Sequence, residues 1–202
     1  VLGTEQLKEF EPHTRGVKAL WIPSTGIIDY PAVVETYARI IKDAGQEIRL
    51  GTEVTGIEKR GGEIVVETST GDFSGKFLVN CAGLHADRVA RLAGGQIPLR
   101  IIPFRGEYYE LKPEKRDLVK GLIYPVPDPS FPFLGVHFTR RVDGTVEAGP
   151  NAVLAFKREG YTRTSANPGD ILDTFSYPGF WRLARKYWRV GVGEMYRSAS
   201  KG

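Results

Sequence analysis

The chain has 202 residues, 41% of them hydrophobic, and 28 Lys and Arg against 24 Asp and Glu give it a formal charge of +4. That composition supplies a core for one large domain or two small ones, while the mild charge, with both signs interspersed, excludes the basic stripe of a nucleic-acid binder and suits a small anionic ligand. The longest apolar runs have the length of a strand rather than of a membrane span, and one cysteine, Cys81, with three histidines excludes an internal disulfide and a dedicated zinc site. A reducing, cytoplasmic-type compartment is the expectation. The chain opens at Val1 and has Met195 as its only methionine, so it reads as a piece of a longer protein.

In chain order, TEQLKEFEP predicts a short helix with Thr4 as N-cap, Leu7 and Phe10 on one face and Pro12 after its end. A second helix follows Asp29, with Pro31 in its first turn, an apolar stripe of Val33, Val34, Tyr37, Ala38, Ile40 and Ile41, and Gly45 at its close. From Glu47 the period changes to two. EIRL, EVTGIEKR, EIVVETST and DFSGKFLVN read as four strands, with hairpins at Gly61-Gly62 and Gly71-Asp72. The last of them runs through FLVNCAG into a helix over Ala86 to Ala93. Beyond Pro98 the aromatic and β-branched segments RIIPFRGEYYELKP, GLIYPVP, PFLGVHFTRRVDG and TVEAGPNAVLAF predict an antiparallel sheet with a tight turn at Asp143-Gly144. Asn167-Pro168 and Pro178 then open two helices, the second carrying aromatic residues at helical spacing.

The junction FLVNCAGLHADRVA raises a chemical question. An apolar strand that meets a helix through small residues is a common approach to a nucleotide, because Ala82 and Gly83 allow a ligand to come close to the backbone. No dinucleotide fingerprint accompanies it: the nearest match to G-x-G-x-x-G, GVGEMY at Gly191, fails at its last position.

Taken together, GIIDYP before a helix, GTEVTGIE, the glycine-punctuated meander, FLVNCAGLHAD and IPFRGEYYEL resemble, in that order, the D-amino-acid-oxidase-like superfamily of FAD-dependent oxidoreductases. The series PVPDP, PFLGVHFTR, DG and GPNA is similar to the branch of L-2-hydroxyglutarate oxidases and dehydrogenases. The resemblance covers nearly the whole chain. It implies a mixed α/β fold in two parts: a partial FAD-binding domain at residues 1–96, and a substrate-binding domain at residues 97–202 built on an antiparallel sheet with C-terminal helices. It implies FAD as cofactor, with Val54, Ala82 and Gly83 as contacts. In that family the phosphate loop and the acidic ribose ligand lie N-terminal to the matched region, and a further flavin-contacting loop lies C-terminal to it. This piece alone is therefore expected to be inactive.

Oxidising a hydroxy diacid requires groups that hold two carboxylates and a base for the hydroxyl proton, while flavin performs the redox step. His137 is the candidate catalytic base, since imidazole takes and releases protons near neutrality; alternation in GVHFTR puts it on a face with Gly135 and Thr139. Arg105 is a candidate fork for a carboxylate, unless it serves Glu107 or Glu110. Tyr124, before the rigid PVP segment, is a candidate hydrogen-bond donor to substrate, and Arg140 a further candidate. His13 and His85 carry less weight, and Phe180, Trp181, Tyr187 and Trp188 read as packing. Two other readings stay open at this stage: an amine, amino-acid or glycerol 3-phosphate oxidoreductase of the same superfamily, or a non-catalytic carboxylate-binding or interaction module. The electron acceptor is open too, and with it peripheral membrane association of the whole protein.

Overall fold

A computed structural model describes residues 1–129 and 135–200. Part of the PFLGVHFTR segment, at residues 132–134, lies outside the described residues. The chain separates into two compact units that are interleaved in sequence: residues 1–39, 106–153 and 193–202 form one, and residues 40–105 and 154–192 the other.

The elements run β1 (Leu2–Gly3), α1 (Thr4–Phe10), β2 (Lys18–Ala19), α2 (Tyr30–Asp43), β3 (Val54–Arg60), β4 (Glu63–Thr68), β5 (Phe73–Gly75), α3 (Ala86–Leu92), β6 (Phe104–Glu110), β7 (His137–Arg140), β8 (Val146–Leu154), α4 (Pro168–Phe175) and α5 (Pro178–Ala199). Short 3-10 turns occupy Gly83–His85 and Pro113–Leu118. This is the mixed α/β architecture with antiparallel sheets that the sequence predicts.

In the first unit β1 and β2 pair antiparallel, and α1 starts one residue earlier than expected, with Gly3 rather than Thr4 at the N-cap and Thr4 already helical. Thr4 Oγ1 instead donates to the carbonyls of Gly16 and Val17, tying the returning chain to the helix start. A three-stranded sheet has the order β6-β8-β7, with β7 and β8 antiparallel and His137 opposite Gly149. Val146 and Val153 on β8 are buried, together with Val119. The turn between β7 and β8 closes through Asp143, whose carboxylate accepts from the Thr145 N–H at 2.9 Å, and Gly144 adopts φ +82°.

The second unit contains the meander β3-β4-β5, antiparallel throughout. Its Gly61-Gly62 turn has φ of +58° and +91°, the left-handed pair that a two-residue hairpin demands and that side chains with a Cβ resist. Helix α3 packs on β3, where Ile57 is buried. Asn167 caps α4 by accepting from the Asp170 N–H at 3.0 Å. Helix α5 kinks at Tyr187, so GVGEMY lies inside a helix rather than in a phosphate loop.

One expected strand, EIRL, and the second half of another, DFSGKFLVN, are not strands, although the first half of the latter forms β5. Residues 47–50 and 77–80 are unpaired among the described residues, with Leu50 87% and Phe77 90% exposed. A strand is defined by its neighbour, and β-branched composition cannot supply the missing ladder. Helix α2 shows the same incompleteness: its apolar stripe is real, yet it contains no buried residue, and Val34 and Tyr37 are both exposed. No described helix is long and apolar enough to cross a membrane.

Candidate functional site

The strand-to-helix turn lies in the second unit and is held from within by Asn80. Its Oδ1 accepts from the Ala82 N–H at 3.1 Å and its Nδ2 donates to the Ala86 carbonyl at 2.8 Å, so one side chain spans the turn. Gly83 adopts φ +52°, and a Cβ placed there would meet nothing within 4 Å. The glycine thus serves conformation and leaves open space beside the backbone. Val54 opens β3, on which α3 packs. Val54, Ala82 and Gly83 therefore belong to one unit, Val54 on the strand against which α3 packs and Ala82 and Gly83 in the turn that leads into α3. An open turn of small residues fits a flat ligand laid against the backbone.

His137 lies in the first unit at the start of β7 and is 7% exposed. Its ring stacks on Tyr124, centroids 4.2 Å apart and planes 13° apart, while Tyr108 presents an edge at 6.4 Å. Nδ1 stands 3.1 Å from the Gly135 carbonyl. A carbonyl only accepts, so this bond places the proton of the neutral ring on Nδ1 and leaves Nε2 as the basic nitrogen. The Tyr124 hydroxyl hydrogen-bonds Thr139 Oγ1 at 3.1 Å, which keeps Tyr124, His137 and Thr139 on one face as the alternation predicts.

Tyr108 was not singled out by the sequence. Burial, with Glu147 nearby, raises its phenol above the ordinary value. Its ring crosses Gly149, where a Cβ would stand 2.5 Å from Tyr108 Cδ1 and 2.9 Å from the Glu107 carbonyl. Since the backbone oxygen cannot swing away, Gly149→Ala is expected to cost about 1–3 kcal/mol, read as a lower midpoint in urea unfolding of the full-length protein; an unchanged midpoint would remove Gly149 as the seat of Tyr108. The signal in the sequence was the pairing of FRGEYY with GPN, but only the register of the sheet joins them.

The arginines are engaged with backbone. Arg105 Nη1, in the second unit, donates to the carbonyls of Thr162 at 2.8 Å and Gly160 at 3.4 Å, so its guanidinium is oriented by the loop before α4. Arg140 Nη2, in the first unit, donates to the carbonyls of Arg116 at 2.9 Å and Val119 at 2.7 Å. Of the minor candidates, His13 is exposed and His85 Nε2 lies 3.5 Å from Glu159 Oε1. Phe180 is buried against Phe175 and Trp181, and Trp181 Nε1 donates to the Phe175 carbonyl, so these aromatics pack. Trp188 is exposed, and Tyr187 marks the kink in α5.

The second feature that the sequence did not reveal is a buried ion network in the second unit. Arg158 contacts both carboxylate oxygens of Asp87, with Nη2 2.8 Å from Oδ2, and reaches Asp173 Oδ2 at 3.1 Å. Its own N–H donates to Asp170 Oδ2 at 2.8 Å, and Asp170 Oδ1 accepts from Arg88. Asp87 also accepts from the Ile101 N–H at 3.2 Å. Burial alone would raise the Asp87 carboxyl, but the Arg158 guanidinium, the Ile101 N–H and Arg91 outweigh it and hold it down to about 2. Asp170 is likewise held low: burial opposes, and the Arg158 N–H and Arg88 prevail.

An α/β chain with a small-residue turn after an extended segment, and an antiparallel sheet carrying a buried histidine, has the parts of a flavoenzyme of the D-amino-acid-oxidase type. The sequence matches the family described as FAD dependent oxidoreductase over residues 1–198, and the chain belongs to that family. It is 52% identical over 198 residues to the L-2-hydroxyglutarate dehydrogenase of Indibacter alkaliphilus, covering 98% of this chain and 50% of that protein. The mitochondrial L-2-hydroxyglutarate dehydrogenase of Homo sapiens is 44% identical, covering 100% of this chain and 46% of that protein. The L-2-hydroxyglutarate dehydrogenase of Escherichia coli K12 is 42% identical, covering 99% and 48%. The chain thus spans about half the length of these curated relatives. Among solved structures, L-proline dehydrogenase from P. horikoshii superposes with a TM-score of 0.62 at 19% identity, covering 90% of this chain and 48% of that one. Glycine oxidase from Geobacillus kaustophilus superposes with a TM-score of 0.56, also at 19% identity, covering 90% and 47%. These two share the fold.

Proposed function

We propose that this chain is part of an FAD-dependent oxidoreductase that converts L-2-hydroxyglutarate to 2-oxoglutarate. The observation that carries the reading is the 52% identity to an L-2-hydroxyglutarate dehydrogenase across 98% of the chain. In this reading residues 1–96 contribute to the FAD-binding part and residues 97–202 to the substrate-binding part. Val54, Ala82 and Gly83 form one wall of the flavin site.

Bound FAD supplies the two-electron acceptor for the hydrogen leaving C2 of the hydroxy acid. His137 takes the hydroxyl proton at Nε2, the nitrogen left basic by the bond from Nδ1 to the Gly135 carbonyl. Stacking on Tyr124 restrains the ring in that orientation, so little is lost in ordering it when substrate arrives. Arg105, aimed by the Thr162 and Gly160 carbonyls, holds one substrate carboxylate, and Arg140, whose Nη2 serves the Arg116 and Val119 carbonyls, is a second group for a carboxylate. The Tyr124 hydroxyl, shared with Thr139, donates to a substrate oxygen.

Anaerobic reduction of the full-length protein's flavin, followed at its visible absorption band, tests this. L-2-hydroxyglutarate should bleach it rapidly, while D-2-hydroxyglutarate, glycine, sarcosine and glycerol 3-phosphate should not. Bleaching by an amine or by the phosphate ester would keep the flavoenzyme and overturn the substrate.

A further inference from the structure

We infer that Arg158 is a positioning residue for the flavin turn, fixing the backbone on the C-terminal side of Ala82-Gly83; this rests on the reading of that turn as a flavin wall. The guanidinium makes two kinds of contact at once. Nη1 donates to the Leu84 carbonyl at 2.6 Å, one residue after Gly83, and the same group grips Asp87 in the first turn of α3. A planar fork can hold a carbonyl and a carboxylate together in fixed geometry, which an ammonium cannot do.

The turn needs such a grip because its own composition gives none. Ala82 and Gly83 offer no side-chain polar atom, Gly83 sits at φ +52° with open space beside it, and Leu84 is exposed. Asn80 closes the turn from its N-terminal side through Ala82 and Ala86. Arg158 closes it from the opposite side, from a position 74 residues away in sequence.

Arg158 is itself held. Its N–H bonds Asp170 at the start of α4, its Nη2 bonds Asp173 one turn later, and Arg100 bridges Asp173 to the Ser176 hydroxyl. The fork therefore transmits the placement of α4 to the turn. Both charged partners are buried, Arg158 at 4% and Asp87 at 6% exposure, so solvent does not compete for either. The consequence is specific: loosening the Leu84 carbonyl should blur the wall against which a flat cofactor lies, and cofactor affinity should fall more than fold stability.

The test titrates FAD into the full-length apoprotein, reading flavin fluorescence, with apoprotein thermal unfolding in parallel. Arg158→Lys keeps the charge near Asp87 but loses the fork, and is expected to weaken FAD binding at least tenfold. The double variant Asp87→Leu with Arg158→Met removes both charges together, which buried pairs tolerate far better than the loss of one partner. It is expected to fold and still to bind FAD at least tenfold more weakly. Wild-type FAD affinity in a folded double variant or in Arg158→Lys overturns the inference. Ala82→Leu, which fills the turn itself, reads the underlying assignment separately. If it weakens FAD binding while the Arg158 variants do not, the wall stands and the role of Arg158 falls; if Ala82→Leu also binds normally, both fall.

Discussion

Replacing His137 with alanine in the full-length protein should lower kcat/KM for L-2-hydroxyglutarate by roughly 10²- to 10⁴-fold, the range lost with a general base, while the flavin remains bound. The geometry sets the form of the effect. With its proton held at Nδ1 by the Gly135 carbonyl, the ring offers a single basic nitrogen, and loss of that nitrogen removes the acid-side limb of the pH–rate profile. His137→Gln, which keeps a polar group of similar reach, should not restore the limb. A variant with a lower unfolding midpoint but an unchanged rate of flavin reduction and an unchanged pH profile would make His137 a packing residue of the Tyr124 stack.

Asp87→Ala should destabilise the full-length protein by roughly 3 kcal/mol, because it leaves the Arg158 charge buried; the figure sits at the low end for a broken buried pair, since Asp173 still reaches Nη2. Urea unfolding at pH 7 measures it, and a loss below 1 kcal/mol would mean that the site hydrates freely. The pair also has a pH signature. Asp87 is held at about 2 against an ordinary value of 3.8, so its folded-state pKa is depressed, and the stabilisation is complete above about pH 4 and lost as pH falls through about 2. That contribution is roughly 2 kcal/mol at neutral pH. In Asp87→Asn the stability lost between pH 4 and 2 should be smaller by about that amount.

What could be read from the sequence was what depends on neighbours along the chain. The Gly61-Gly62 hairpin, the Asn167 cap, the Asp143-Gly144 turn and the amphipathic α2 all follow from local chemistry and appear at their expected places. Residues 47–50 and 77–80 read as strands because their composition is that of strands, but pairing is a property of two segments and none is provided here. His137 was selected by its alternation, yet the stack with Tyr124 comes from the bridge between Ile123 and Phe138, which composition does not encode. Arg158 was the harder case: in FKREGY it looks like a charge on a solvated loop, and its partner Asp87 stands 71 positions earlier. Tyr108 was hidden in the same way, since its dependence on Gly149 exists only across the sheet.

The interleaving of the two units bears on how the chain reaches its native state. One unit requires residues 1–39 together with 106–153 and 193–202, and the other requires 40–105 together with 154–192. Neither unit is complete until segments more than 100 positions after its first ones have been synthesised. Long-range closure of this kind slows folding and prolongs the life of unpaired, apolar intermediates. In the full-length protein these residues should accordingly stay protease-sensitive at least until the segment near residue 193 has been synthesised.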